Sequence, residues 1–160
     1  MTHPLRIARG SHAPETGKGC VMNVISFIDG EDPVTDTPLS VAQPLAFLMQ
    51  FLNDQYPVDT EGCIAPQDAL RLLDLASRTV GTAGKRPPPD QWTKALNDAL
   101  HLPGHLVPPR ATMKFYLHYL CRLDAPPEQC YEFVKTAIDR WHELCGTQTE
   151  PQARLMCSYV

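Results

Sequence analysis

The stretch PPEQCYEFVKTAIDRWHELCG, residues 126–146, decides the fold class that this chain is expected to have. Its apolar residues recur every three and four positions, which is the spacing of one face of an α-helix. Prolines fit the start of a helix because the first-turn amides have no partner within the helix, and Gly146 fits its end. The stretch therefore predicts a long helix. Its apolar face consists of Cys130, Phe133, Val134, Ala137, Ile138, Trp141, Leu144 and Cys145.

Five further stretches show helical spacing of apolar residues or helix start and stop signals. In the first, residues 20–28, the β-branched content leaves a strand as an alternative. In the second, Ser40 and Gln43 match the Ser-x-x-Gln capping box, and the helix is expected to run to about Tyr56. Pro66 suits the first position of the third. The predicted helices span residues 20–28, 40–56, 66–80, 90–102 and 109–120.

We therefore predict an all-α fold, a compact bundle of five or six short helices with Pro/Gly-rich connections, in a single domain over residues 1–160. Three segments lack periodicity. Residues 1–19 are expected to form an irregular N-terminal arm, and residues 147–160 a weakly structured tail. Residues 81–89 contain three consecutive prolines, which favour extended backbone, so we expect a mobile loop there.

Composition narrows the class of function. Of 160 residues, 43% are apolar and 20% are charged, as in globular domains. The net charge of −4 disfavours nucleic acid and anionic membranes as partners. No apolar run approaches the roughly 20 residues that span a bilayer, and no export signal is visible. Six cysteines in a chain of this length predict free thiols and a cytoplasmic location.

A glycine-containing loop from Gly10 to Cys20 precedes the first predicted helix. Helix N-termini bind anions through unpaired amides and the helix dipole, so Lys18, Gly19 and Cys20 are predicted anion contacts. The glycine spacing differs from that of a phosphate-binding P-loop, and Gly19 stands where such a loop needs Ser or Thr. The alternative is that these glycines only turn the chain.

Cys20 is also a candidate nucleophile, because a helix N-terminus lowers the pKa of a thiol. Covalent catalysis needs a base and a residue that orients it, and His12 and Asp36 are the nearest candidates in sequence. The competing interpretation is a buried cysteine that only packs, since free cysteines are among the most buried residues.

Histidine and cysteine pairs suggest a metal site only weakly. His118 and Cys121 lie one turn apart on a predicted helix, and His101 and His105 flank a Pro-Gly turn, so a mixed site of these four is conceivable. No Cys-x-x-Cys unit is present. The preferred interpretation is that Cys121, Cys130 and Cys145 pack in the core with the histidines at its edge, and we expect no metal and no cofactor.

The fifth predicted helix shows almost no polar face, which predicts either a central helix or one committed to a partner. Phe115 and Tyr119 are its candidate partner contacts. Lys85 and Arg86, in the proline-rich loop, are candidates for contact with an acidic partner, although two charges are too few for a nucleic-acid footprint.

The N-terminal third carries a series of short motifs in a specific order. They are Ala8-Arg9-Gly10-Ser11-His12, Gly19-Cys20-Val21-Met22, Gly30-Glu31, Thr35-Asp36-Thr37-Pro38 and Asn53-Asp54. Over residues 6–54 the chain resembles a family of small uncharacterised proteins of actinobacteria and their phages. It departs from that pattern at Asn23, where an acidic residue is usual, and at Ser40, where cysteine is frequent. The resemblance implies a phage or mobile-element origin rather than a reaction.

These observations favour a non-enzymatic interaction or regulatory protein that acts on a host protein or assembles with itself. Their main support is that no complete catalytic constellation is visible, whereas two contact surfaces are. The alternative is a small-anion-binding protein or a cysteine-dependent enzyme centred on the Gly10–Cys20 loop.

Overall fold

The computed structural model describes residues 6–10, 16–108 and 111–146, and within these ranges it contains six α-helices. This confirms the all-α prediction. None of the helices in the described ranges is both long and apolar enough to cross a membrane. The helices are α1 Val21–Ile28, α2 Gln43–Asn53, α3 Pro66–Ser77, α4 Pro89–Ala99, α5 Met113–Arg122 and α6 Pro127–Cys145, and two short strands, β1 Arg6–Ile7 and β2 Lys18–Gly19, pair in parallel.

The chain divides into two compact units between Gly84 and Lys85. The first holds β1, β2 and α1 to α3, and the second holds α4 to α6. The sequence contains no signal for this division beyond the proline-rich loop, and the single-domain organisation stays a prediction.

Helix α1 lies at the centre of the first unit, where it contacts both α2 and α3. Five of its eight residues are buried, among them Val24 and Ile25. A helix that is apolar on most sides is stable only when other elements surround it. The prediction of a helix rather than a strand at residues 20–28 is thereby confirmed.

The described part of the predicted irregular arm, residues 6–10 and 16–19, is more regular than expected. Ile7 pairs with Gly19 in the parallel strands, and Ala8 forms an antiparallel bridge with Cys63. Both Ile7 and Ala8 are buried. Strands of two residues are too short to show the alternation by which a strand is recognised in sequence, so this pairing could not be predicted.

The predicted capping box at the start of α2 is wrong. The N-cap is Ala42, and Ser40 instead donates a hydrogen bond from Oγ to Asp29 Oδ2 at 2.5 Å. The amide of Ala42 donates to Thr82 Oγ1 at 2.8 Å, so a residue 40 positions later supplies the missing polar group. The helix also ends at Asn53, before Tyr56.

In the second unit α6 matches the predicted helix closely. It begins at Pro127 and ends at Cys145, and Gly146 follows in the left-handed conformation with φ 65°. A glycine takes that conformation without the steric cost that a Cβ atom brings. Helix α6 contacts α4, and Trp141 packs edge-to-face against Trp92 with ring centroids 5.1 Å apart.

The interpretation of the fifth helix as central is wrong. Helix α5 begins at Met113, and only Tyr116 and Leu120 among its residues are buried. Helix α5 lies at the surface because its few polar residues share one side of the helix, which the number of its apolar residues does not show. Lys114, His118 and Arg122 recur every four positions and are exposed, as expected for the solvent side of a surface helix. Pro109, the predicted start, lies outside the described residues.

The remaining boundaries shift modestly. Pro66 begins α3 as predicted, but the helix ends at Ser77 because Val80 pairs with Val41 in an antiparallel bridge. Within the predicted mobile loop 81–89, Pro89 is already the first residue of α4, and Lys85 to Pro88 have no regular structure. The predicted tail 147–160 lies outside the described residues.

Candidate functional site

The surroundings of Cys20 come from three separate parts of the first unit. Cys20 is the N-cap of α1, and its amide donates to Asn23 Oδ1 at 2.9 Å. The amide of Val21 donates to Asn53 Oδ1 at 3.0 Å, and Asn53 Nδ2 donates to the carbonyl of Ala8 at 2.9 Å. Asn53 is fully buried. One side chain therefore joins the end of α2, the start of α1 and the residue that follows β1.

Cys20 itself is buried, with 6% of its surface exposed. Burial raises the pKa of its thiol, and the nearby carboxylates of Asp36 and Asp54 raise it further, while the amides of Asn23 and Met22 lower it. The net direction is opposite to the one expected from the helix dipole. Asp36 lies close enough to act on the thiol, but its charge disfavours the thiolate. His12, the proposed base, lies outside the described residues.

The predicted anion contacts are engaged within the chain. Lys18 Nζ donates to the carbonyl of Glu61 at 2.6 Å, and the carbonyl of buried Gly19 accepts from Ala8. The amides of Cys20 and Val21 are bound by Asn23 and Asn53. An anion at this helix start has to displace those side chains, so the structure gives the anion hypothesis no support.

The candidate partner contacts lie on the surface of the second unit. Lys85 and Arg86 are exposed. Phe115 and Tyr119 are half-buried and one helical turn apart, and Leu123, four residues later, has 51% of its surface exposed. Residues four apart lie on the same side of a helix. Phe115, Tyr119 and Leu123 therefore form an apolar stripe, hereafter the α5 stripe, about 12 Å long at about 1.5 Å per residue.

The histidines and cysteines considered for a metal are dispersed over the surface. His101, His105, His118 and Cys121 are all exposed, so the prediction that Cys121 packs in the core is wrong. Cys130 is buried as expected, and Cys145 is half-buried. Burial raises the pKa of Cys130 to about 11. All five described cysteines are free thiols.

Within the described ranges, the one group of three metal-ligand side chains is a different one, namely Asp59, Glu61 and Cys63, whose ligand atoms lie within 4.8 Å of one another. Arg6 already pairs with both carboxylates of this group. Asp59 Oδ1 also accepts the amides of Glu61 and Cys63 at 2.8 and 3.0 Å, and these hydrogen bonds, led by that of Cys63, lower the pKa of Asp59. The group thus closes a loop rather than presenting free ligands.

This loop forms one wall of a pocket for which the sequence gives no direct signal. The pocket has a volume of about 530 Å³ and lies between residues 57–65, β1 and residues 66–73 of α3. Three of its lining residues are polar, namely Arg6, Asp59 and Cys63. The apolar remainder includes Ile7, Val58, Ile64, Ala69, Leu70 and Leu73.

A turn signal in the sequence could have located the wall of the pocket. Val58 and Ile64 flank a segment with Asp59 and Gly62, which is the composition of a short hairpin. The structure pairs Val58 with Ile64 across that turn. Ile7 and α3 form the other walls of the pocket. They meet the hairpin through contacts between residues distant in sequence, so the pocket itself was not predictable.

No family model, no curated protein and no solved structure matches this chain. The resemblance of residues 6–54 to proteins of actinobacteria and their phages therefore stays a prediction.

Proposed function

We propose that this chain is a non-enzymatic interaction protein that binds another protein through the α5 stripe. The observation that carries the proposal is the exposure of α5. Its polar residues account for the solvent side of a surface helix, but they do not account for the α5 stripe, in which Phe115 and Tyr119 are only half-buried and Leu123 has 51% of its surface exposed. Aromatic residues at the centre of an interface supply much of the binding free energy, and Phe115 and Tyr119 fit that role.

The resemblance of the N-terminal third supports a phage-encoded protein, for which the partner is a host protein or a second copy of the chain. We place it in the cytoplasm, which the free thiols of Cys20, Cys63 and Cys130 support. The cysteine-enzyme alternative receives no comparable support, because Cys20 is buried and its pKa is raised.

The test is a double substitution in the α5 stripe, Phe115→Ser with Tyr119→Ser. We expect it to weaken partner binding at least about tenfold, because interface aromatics often contribute 2 kcal/mol or more each. Light scattering after size exclusion measures self-association, and affinity capture from an actinobacterial lysate measures binding to a host protein. Far-UV circular dichroism checks that the helices remain.

Lys114→Ser is the matched control, since Lys114 lies on the exposed polar side of the same helix. It should leave binding unchanged. The proposal is contradicted if both variants bind the partner equally well. It is also contradicted if the unsubstituted protein is monomeric and captures no protein whose binding the substitutions in the α5 stripe weaken.

A further inference from the structure

The pocket in the first unit has the dimensions and lining of a site for a small molecule. Its volume of about 530 Å³ falls within the range of about 300–1,000 Å³ that is typical of ligand sites. Its lining is mainly aliphatic, with a few polar groups gathered beside the hairpin. Leu70 and Val58, which line it, have 56% and 37% of their surfaces exposed, so the pocket opens to solvent.

The charges at the polar end balance one another. Arg6 pairs with Asp59 and with Glu61, and the Lys18 ammonium lies 2.6 Å from the carbonyl of Glu61. Two cations and two carboxylates leave no net charge for an ionic ligand to neutralise. An anionic ligand meets the carboxylate of Asp59, which lines the pocket, and a cationic ligand has to displace Arg6.

The polar end nevertheless retains hydrogen-bond donors. A guanidinium has five N–H groups, and Arg6 makes two side-chain hydrogen bonds, one from each terminal nitrogen. Asp59 is closer to saturation, since it accepts two amides on Oδ1 and Arg6 on Oδ2. The group best suited to this end is therefore a hydrogen-bond acceptor without charge.

We infer that the pocket binds a neutral, mainly aliphatic small molecule that carries a carbonyl or ether oxygen at one end. The aliphatic part lies against Ile64, Leu70 and Leu73, and the oxygen accepts a hydrogen bond from Arg6. This site belongs to the first unit and does not depend on the α5 stripe.

Three eight-carbon probes that differ in their polar end test the inference, namely 2-octanone, octanoate and octylammonium. Binding is measured by titration of the full chain, followed through the NMR signals of the methyl groups of Val58, Ile64 and Leu70. We expect 2-octanone to bind at least about fivefold more tightly than either ion, because only the ketone is both uncharged and an acceptor. Equal or tighter binding of octanoate or octylammonium overturns the inference.

Substitutions then locate the probe. Ala69→Phe fills the pocket and should abolish 2-octanone binding, while Gln67→Phe, on an exposed position of α3 that does not line the pocket, should not. Leu70→Asn, at an exposed position where folding is little affected, should weaken binding at least about threefold through lost apolar contact. Ketone binding that survives both pocket substitutions places it elsewhere and contradicts the inference.

Arg6→Met tests the polar end. It should weaken 2-octanone binding about tenfold, since a hydrogen bond to a charged donor contributes about 1.5 kcal/mol. Its ion pairs are half-exposed, so the fold should tolerate the change. Unchanged ketone affinity in this variant contradicts the role assigned to Arg6.

Discussion

At the scale of single residues, three polar side chains of the first unit bind backbone amides. Asn23 and Asn53 bind the amides of Cys20 and Val21, and Asp59 binds two amides of its own loop. Asn53 is fully buried, where an unpaired amide would be costly, whereas Asp59 is exposed. The same bonds occupy the helix start at which the sequence predicts an anion.

The chemistry of the cysteines gives a prediction at this scale. At pH 7.5, iodoacetamide should label exposed Cys121 readily and leave Cys20 and Cys130 unlabelled until the protein unfolds, because burial both shields these thiols and raises their pKa. Peptide mass spectrometry after timed labelling measures each site. Labelling of Cys20 well below pH 8 at a rate above that of Cys121 indicates a reactive thiolate and favours the enzyme alternative.

How far the sequence predicts this site depends on how far apart its partners lie. That Cys20 stands at a helix start was predictable, because the apolar spacing after it is local. Its burial agrees with the interpretation of a cysteine that only packs, which rests on the general tendency of free cysteines to be buried. Which residues surround it was not predictable, since Asn53 and Ala8 lie 33 and 12 positions away in sequence. A helix dipole and a buried environment act on a thiol in opposite directions, and only the tertiary structure decides between them.

At the scale of elements, local spacing predicts the helices well and their ends less well. The apolar repeat of α6 is accompanied by start and stop signals in the adjacent residues, so both bounds were predictable. The start of α2 was not, because the amide of its N-cap residue Ala42 binds the distant Thr82, while Ser40 binds Asp29. On α5, the four-residue spacing of the polar residues was a better signal than the number of apolar ones.

The hydrogen bond between the amide of Ala42 and the side chain of Thr82 gives the prediction at this scale. Thr82 is buried, accepts the amide of Ala42 and donates to the carbonyl of Thr79 at 2.6 Å. Thr82→Val keeps the shape and leaves the amide of Ala42 without its acceptor, whereas the carbonyl of Thr79 still accepts the amide of residue 82. We therefore expect a loss of about 2 kcal/mol in the free energy of unfolding. Urea denaturation measures it.

Thr93→Val is the matched control, since Thr93 is half-exposed on α4 and its side chain should contribute little. We expect a change within about 0.5 kcal/mol. An equal loss of unfolding free energy in the two variants contradicts the stabilising role of the Thr82 hydrogen bond.

At the scale of the whole molecule, the division at Gly84–Lys85 was beyond what the sequence predicts. Composition and length favour one domain, and the helical pattern continues on both sides of the proline-rich loop. The helices of both halves carry similar apolar faces. The local sequence pattern therefore does not show whether these faces form two small cores or one larger core.

Both tryptophans, Trp92 and Trp141, lie in the second unit, which makes its unfolding separately visible. Asn53→Ala leaves the amide of Val21 and the carbonyl of Ala8 unpaired in the first unit and should cost about 3 kcal/mol there. In urea, we expect the circular dichroism transition to shift to lower concentration while the tryptophan fluorescence transition shifts much less.

Ile138→Ala, in the core of the second unit, is the control and should shift the fluorescence transition instead. If Asn53→Ala moves both signals by the same amount, the two units unfold as one cooperative domain, as the sequence predicts.

The contact between Ala42 and Thr82 also has a consequence for the order of events during synthesis. Protein chains emerge from the ribosome N-terminus first, and domains begin to fold as they emerge. Helix α2 emerges first, but the amide of its N-cap residue Ala42 has no acceptor until Thr82 emerges. Likewise, the carbonyl of Ile7 has no donor until Ile64 emerges. The backbone of the first unit becomes fully paired at these two points only when Thr82 emerges, three positions before the second unit begins at Lys85.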